Sequence, residues 1–464
     1  MSYSPLRWSR REFGLAMGAA NALKASDAPA VPLAGPWDGP AEVVKVFVGV
    51  DRPTWPRPDL NFEQEMAEIN RSLSALEVQH KTKVRFSGGE RLKRPEDVEP
   101  WARSLKGADA VLVLDMTSST APIMQALGKV DAAKLLFTRP LTGWSFMNGA
   151  QWIQSGVKAD MVASSSYKDL EPMLPYLRSI HHLKHSKVLV INSSGRGGEE
   201  FSAQFGTQMA YPSYADLKTA FESVDIRRAE KEGAEFAGKA LRVVEPSRDE
   251  IRDAWRLYLG VRELLAKEKA NAITIDCLGG FRRADLPAYP CIAWTMLNDM
   301  GMYGVCESDI SSTMTQLLIT SYSGKPGFVS DPTFHTSRNE VIHAHCVAAT
   351  CMRGVGSKPA PFTLRSHMED NKGVSVQVDM PVRETITCAD FVDPKTLAAS
   401  TGEVTSNLDH PRGCRTKIVT RVPNARKMVE GWTGGLHRVI FYGDHMEAAE
   451  RMGRLMGFRV KREC

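Results

Sequence analysis

A chain of 464 residues with 43% hydrophobic and 24% charged side chains has the composition of a globular protein of several domains. Its net charge of +5 is not gathered into a long basic run, which argues against a nucleic-acid partner. No apolar run approaches the roughly 20 residues that cross a bilayer, so a membrane span is not expected either.

The first thirty residues differ from the rest. SRREFGL, from Ser9, matches the twin-arginine export pattern. A mildly apolar stretch from Phe13 to Leu23 follows, and Ala28, Pro29 and Ala30 give a small-x-small cleavage site. The expectation is a signal peptide over 1–30 and a periplasmic protein; a basic N-terminus on a cytoplasmic one is the alternative. Residues 31–42 (VPLAGPWDGPAE) read as a linker.

The region 43–160 alternates buried strands (Val44–Val50, Ala108–Asp115, Lys134–Thr138) with helices (Phe62–Leu76, Ala121–Leu127). That alternation predicts a doubly wound parallel sheet. Asp115, Thr117, Ser118 and Ser119 put polar groups where a ligand would touch such a sheet, and they serve equally well as a helix cap. A second α/β domain, 161–350, opens with a strand at Met161–Ser165, a helix at Tyr167–Ile180 and a strand at Lys187–Asn192. The glycine-rich run 193–200 lacks both the phosphate-loop and the dinucleotide spacing, so it reads as a flexible loop bordering a cleft. A long helix from Arg248 to Lys269 leads into the strand Ala272–Cys277. The loop from Leu278 to Cys291 then offers Arg282, Arg283 and Asp285 as candidates for hydroxyl contacts.

The stretch Cys291–Cys346 carries the chemistry. Gly304–Cys306 reads as a strand handing over to a helix that begins with Ser308 and Asp309 as cap candidates and stops at Gly324. Glu307 sits at that handover. PGFVS reads as the next strand, with Asp331 at its carboxyl end before Pro332. In an α/β sheet both carboxylates would open onto one crevice. His343 and His345 follow. Oxygen and imidazole donors of this kind suit a hard or borderline divalent cation, although a Glu before a helix also serves as a cap and an Asp before Pro as a turn residue. Beyond Cys351 the runs VSVQVDM, ETITCADF, EVTSNL and KIVTRV alternate with period two, so 351–464 is expected to be a β-rich domain with a barrel or sandwich of antiparallel strands. All eight cysteines fall from Cys277 onward without a CxxC pair, and buried free thiols are expected.

This arrangement resembles the catalytic region of the L-fucose and L-arabinose isomerase superfamily. Glu307 and Asp331 stand 24 apart, the spacing of the L-fucose isomerases, and TGGLHRVIFYGDH is similar to the segment that carries their third metal ligand, at His437. His345 in AHC resembles a further histidine ligand of the arabinose isomerases, and His367 lies where related chains have a histidine near the substrate. The resemblance runs from about Ile275 to Phe458, while the N-terminal half agrees only in its α/β pattern.

The resemblance implies an aldose–ketose isomerase acting on a pentose or 6-deoxyhexose-type sugar through an enediol. Glu307 and Asp331 would be ligands and proton-transfer groups, with His437 and His345 as further ligands and Mn²⁺, Mg²⁺ or Co²⁺ as the cation. It also implies a homo-oligomer, trimeric or hexameric, in which the N-terminal domain of a neighbouring copy finishes the pocket. Two readings stay open beside it: a periplasmic sugar-binding protein, and a metal-dependent epimerase or lyase acting on a sugar derivative.

Overall fold

The computed structural model describes residues 33–464; the export motif expected within 1–30 lies outside them. The segment read as a linker is packed down. Trp37, in a single turn over Pro36–Asp38, is buried. The carbonyls of Pro36 and Trp37 meet the imidazoles of His181 at 2.9 Å and His182 at 3.1 Å. An indole that gains this much by leaving water fixes a stretch whose prolines and glycines alone suggest freedom.

β1 (Ala41–Val48), β2 (Val84–Leu92), β3 (Ala110–Asp115), β4 (Ala133–Thr138) and β5 (Ala159–Ala163) form a parallel sheet in the order β2-β1-β3-β4-β5. β3 and β4 are buried along their whole length, as expected of strands covered by helices on both faces. α1 (Phe62–Gln79) supplies one of those covers through Ile69, Leu73 and Leu76. β5 pairs with β4, so the strand expected to open the second unit instead closes the first sheet. One more βα step extends a sheet as readily as it starts a new one, and the sequence holds no cue between the two.

α2 (Leu174–His185) leads into the second parallel sheet, where β6 (Lys187–Ile191), β7 (Gln208–Ala210), β9 (Ala272–Ile275) and β10 (Tyr303–Cys306) run in the order β10-β9-β6-β7; β8 (Arg242–Val243) lies outside it. α3 (Arg248–Glu268) opens on a reciprocal cap in which Ser247 Oγ accepts from the Glu250 N–H at 3.3 Å and Glu250 accepts from the Ser247 N–H at 2.8 Å. The start of the expected loop 278–291 is helical instead: α4 (Cys277–Arg282) forms because Asp276 Oδ1 takes the Gly279 N–H at 2.9 Å.

From β11 (Phe328–His335) onward the pairing is antiparallel. β11 and β12 (Glu340–His345) open a barrel. β13 (Phe362–Arg365) and β14 (Ser375–Val378) step aside to join β8 in a small sheet, so VSVQV is no barrel strand. β15 (Thr385–Asp393), β16 (Thr396–Asn407), β17 (Thr416–Arg421) and β18 (Arg438–Tyr442) then close a six-stranded ring, β15-β18-β11-β12-β17-β16 and back to β15. β19 (Arg459–Arg462) adds in parallel to β16. The barrel therefore takes two strands from the segment assigned to the second α/β domain. Between barrel and second sheet lies α5 (Ile310–Ser323), which packs on β10, β15 and β18. Its Met314, Leu317, Leu318 and Ile319 are fully buried, each worth about 1.5–3 kcal/mol of apolar burial. α5 thus ties Glu307 at its entrance to the barrel beside it.

Candidate metal centre

Glu307 directly follows β10 at the carboxyl edge of the second sheet. Glu307 and Ser308 both hold left-handed backbone, φ +64° and +54°, a conformation that costs of order 1–3 kcal/mol per residue and persists only where the surroundings impose it. Here the turn delivers Asp309 to the N-cap of α5, where Oδ1 takes the Ser312 N–H at 3.0 Å. The same carboxylate reaches across the seam, and its Oδ2 lies 2.7 Å from His437 Nδ1.

His437 and Asp331 meet through barrel register. Ser330 of β11 pairs with Arg438 of β18, so continuing that antiparallel register sets Asp331 opposite His437. Asp331 Oδ1 stands 3.3 Å from His437 Nε2. This corrects the expected placement, because Asp331 does not end an α/β strand: β11 runs through it and through Pro332. Proline is tolerated there because β18 pairs β11 only as far as Ser330, leaving the edge that the missing N–H would have served without a partner strand.

Glu307 Oε2 lies 3.6 Å from His437 Nε2, and Glu307 Oε1 lies 3.8 Å from His345 Nε2. The donor atoms of Glu307, His345 and His437 are all within 4.8 Å of one another. His345 Nδ1 and Nε2 are buried without a hydrogen-bond partner, a state that ordinarily costs 1–3 kcal/mol per group, and His437 Nε2 faces the Asp331 and Glu307 carboxylates. Imidazole nitrogens left bare beside two carboxylates are what a cation would satisfy, and the mixed oxygen and nitrogen donor set fits a divalent ion of the manganese, magnesium or cobalt kind. Asp309 behind His437 holds the imidazole in one tautomer and direction, as a carboxylate does for an imidazole that binds a metal.

The electrostatics follow from the geometry. Burial pushes the Glu307 carboxyl up, and Asp331 adds to the rise against the pull of His437. Burial also raises Asp331, but the His437 imidazole outweighs it, so Asp331 sits below its usual value. Burial lowers His345 to about 4, leaving a neutral imidazole. Burial alone would depress His437, yet the hydrogen bond to Asp309 and the neighbouring Asp331 and Glu307 carry it up to about 10.

The remaining candidates fall elsewhere. His343 is committed inside the barrel, 3.0 Å from both Ser330 Oγ and Thr420 Oγ1. His367 is buried next to the site, with Nε2 3.1 Å from Cys346 Sγ and its ring 4.9 Å from that of Tyr289. Arg282 is exposed at the end of α4 and takes no part in the convergence. Gly434, three residues before His437, has φ +83° and clears Val392, whose side chain a Cβ there would meet at 2.7 Å. The glycine loop does border the site: Asn192 donates to Ser308 Oγ at 3.1 Å, and Gly198 lies against Ile310 at the start of α5.

Asp309 is the residue that sequence reasoning passed over, because capping α5 explained it fully. The spacing Glu307-Ser308-Asp309 before a helix was the available signal. A second cluster among the described residues, Asp109, His181 and His185, is already satisfied in part: His181 uses both nitrogens, and Lys184 Nζ sits 3.1 Å from Asp109.

No family model matches the chain. Over 136 residues it is 29% identical to a sulfoquinovose isomerase of Clostridium sp. (strain MSTE9), a match covering 29% of this chain and 28% of that protein's length. Over that stretch the chain is related to a sugar isomerase.

Proposed function

We propose that this chain is a metal-dependent aldose–ketose isomerase acting on a pentose or 6-deoxyhexose-type sugar. The observation that carries the reading is the convergence of Glu307, Asp331, His345 and His437, with both buried His345 nitrogens left unpartnered; the relationship to a sugar isomerase supports it. A divalent cation held by these four side chains would act as a Lewis acid on the sugar's carbonyl and adjacent hydroxyl oxygens.

The protein's own groups divide the proton work. Glu307, whose carboxyl holds a proton more readily than a free glutamate, takes the proton from C2 of the aldose and returns it to C1, passing through the sugar's enediol. Asp331, kept ionised beside His437, exchanges the hydroxyl proton between O1 and O2. Asp309 keeps His437 directed at both. His367 and the loop 193–198 form walls that position the sugar and limit water. We extend the proposal to a homo-oligomeric assembly.

The test is solvent deuterium exchange at C2 of neutral pentoses and 6-deoxyhexoses, by NMR, with Mn²⁺ present. The wild type is expected to exchange and isomerise one of them, and Glu307→Gln is expected to lose both. Exchange that survives in Glu307→Gln at the wild-type rate contradicts the assignment.

A further inference from the structure

The cluster of Asp109, His181 and His185 shares no residue with the Glu307 centre. It lies where the carboxyl end of α2 meets the residue that precedes β3. His181 and His185 stand four apart on that helix, so their rings share one face, with centroids 4.2 Å apart. Asp109 reaches the same face from the first sheet. One donor atom from each of the three lies within 4.8 Å of the others. A tetrahedral ion bound at about 2.0–2.2 Å sets its ligands roughly 3.4 Å apart, so small side-chain rotations would close the three around an ion.

The hydrogen bonds already aim these atoms at one point. His181 Nε2 lies 2.9 Å from the Pro36 carbonyl oxygen, which can only accept. That bond keeps a proton on Nε2 and turns Nδ1 toward Asp109 Oδ2, 2.7 Å away. An imidazole that binds a metal is held in the same way, its outer N–H given to a carbonyl or carboxylate. A cation would replace the proton shared by Nδ1 and Asp109. The Asp109 side chain is fully buried; its Oδ2 also takes the Glu42 N–H at 2.9 Å, while Oδ1 makes no hydrogen bond of good geometry. The competing charge is Lys184, with Nζ 3.1 Å from Oδ1. Its ammonium also donates to the Ala108 carbonyl at 2.7 Å, so it keeps an anchor on releasing the carboxylate. His185 is exposed, and its ring nitrogens hydrogen-bond to nothing among the described residues.

The donor set selects the ion. Two imidazoles and one carboxylate favour zinc, and manganese is the weakest binder of the first-row series at such a set. We propose that Asp109, His181 and His185 form a second metal site, taking Zn²⁺. Through His181 and its bond to Pro36, the ion would tie the turn Pro36–Asp38 and the first sheet to α2, the helix that leads into the second sheet. Its role would be to hold these parts together, with three protein ligands and water completing the sphere.

The experiment uses the full chain carrying Asp331→Ala and His437→Ala, so that the Glu307 centre is disabled. Equilibrium dialysis against Zn²⁺ is expected to show one saturable ion per chain, with a thermal unfolding midpoint that rises as Zn²⁺ is added. His185→Gln, at an exposed helix end, should weaken binding about 100-fold and remove the rise, since even a partner behind a ligand is worth about 10–100-fold. Lys184→Met removes the competing ammonium and should tighten binding about fivefold or more. No saturable Zn²⁺ on the folded parent overturns the proposal, as does binding that His185→Gln leaves intact. Binding that Lys184→Met leaves unchanged or weakens also overturns it. Failure here leaves the isomerase reading standing, because none of these three residues enters it.

Discussion

Metal binding should release a proton, and its count follows from His437. In the metal-free protein three carboxylates surround the imidazole at 2.7, 3.3 and 3.6 Å, and they carry its pKa to about 10. At pH 7.5 the ring is therefore almost wholly protonated. Its Nδ1–H serves Asp309, so the proton on Nε2 must leave before that nitrogen can bind a cation. About one proton should be released per Mn²⁺ bound. The apparent affinity should then rise about tenfold for each pH unit between 6 and 8.5, or about 1.4 kcal/mol per unit. Calorimetric titration of Mn²⁺ in two buffers of different ionisation enthalpy measures the number directly. His437→Gln should bind weakly and release close to none. A wild-type value near zero, or an affinity flat over that pH range, would refute the reasoning.

Asp309→Asn keeps the α5 cap, since Asn and Asp cap equally well, but removes the charge behind His437. The proton count should fall, and the pH-independent limit of Mn²⁺ affinity should drop about 10–100-fold, read by calorimetry with the circular dichroism spectrum unchanged. His437 also predicts a stability profile. Its folded pKa lies above the unfolded value of about 6.5, so metal-free protein should be most favoured by this group below pH 6.5 and lose that contribution as pH rises toward 10; urea denaturation at pH 7 and pH 9.5 checks it. His343 and His182 act with the opposite sign, both lowered to about 3 by burial, so stability should fall as pH drops from 6.5 toward 3. Glu463→Gln should cost about 3–5 kcal/mol of stability, because it strands Arg438 in a fully buried pair at 2.7 Å. The Arg438→Met, Glu463→Leu double variant should recover much of that loss.

The strand–helix handover at Glu307 was legible because β10 and α5 follow local rules: a short apolar strand, an aspartate cap and a glycine stop. Asp331 was placed on the wrong kind of strand. PGFVS carries no mark of sheet type, and only the pairing of β11 with β12 and β18, set by residues more than 100 positions away in the case of β18, makes it a barrel strand. The same non-local pairing brings His437 opposite Asp331, and periodicity in one sequence cannot state it. His343 and His345 look alike in VIHAHC. One is satisfied by two hydroxyls and the other is not, a difference contributed by Ser330 and Thr420 on neighbouring strands. Asp309 was hidden by having a sufficient local role.

On the proposed reading Glu307, Asp331, His345 and His437 hold a divalent cation. Metal analysis after saturation with Mn²⁺ and gel filtration, on the wild type beside Asp331→Ala and His437→Ala, tests it most directly. About one Mn²⁺ per wild-type chain and little in either variant is expected, with all three proteins folded by circular dichroism. Metal retained equally by all three, or absent from a folded wild type at saturating Mn²⁺, would contradict it.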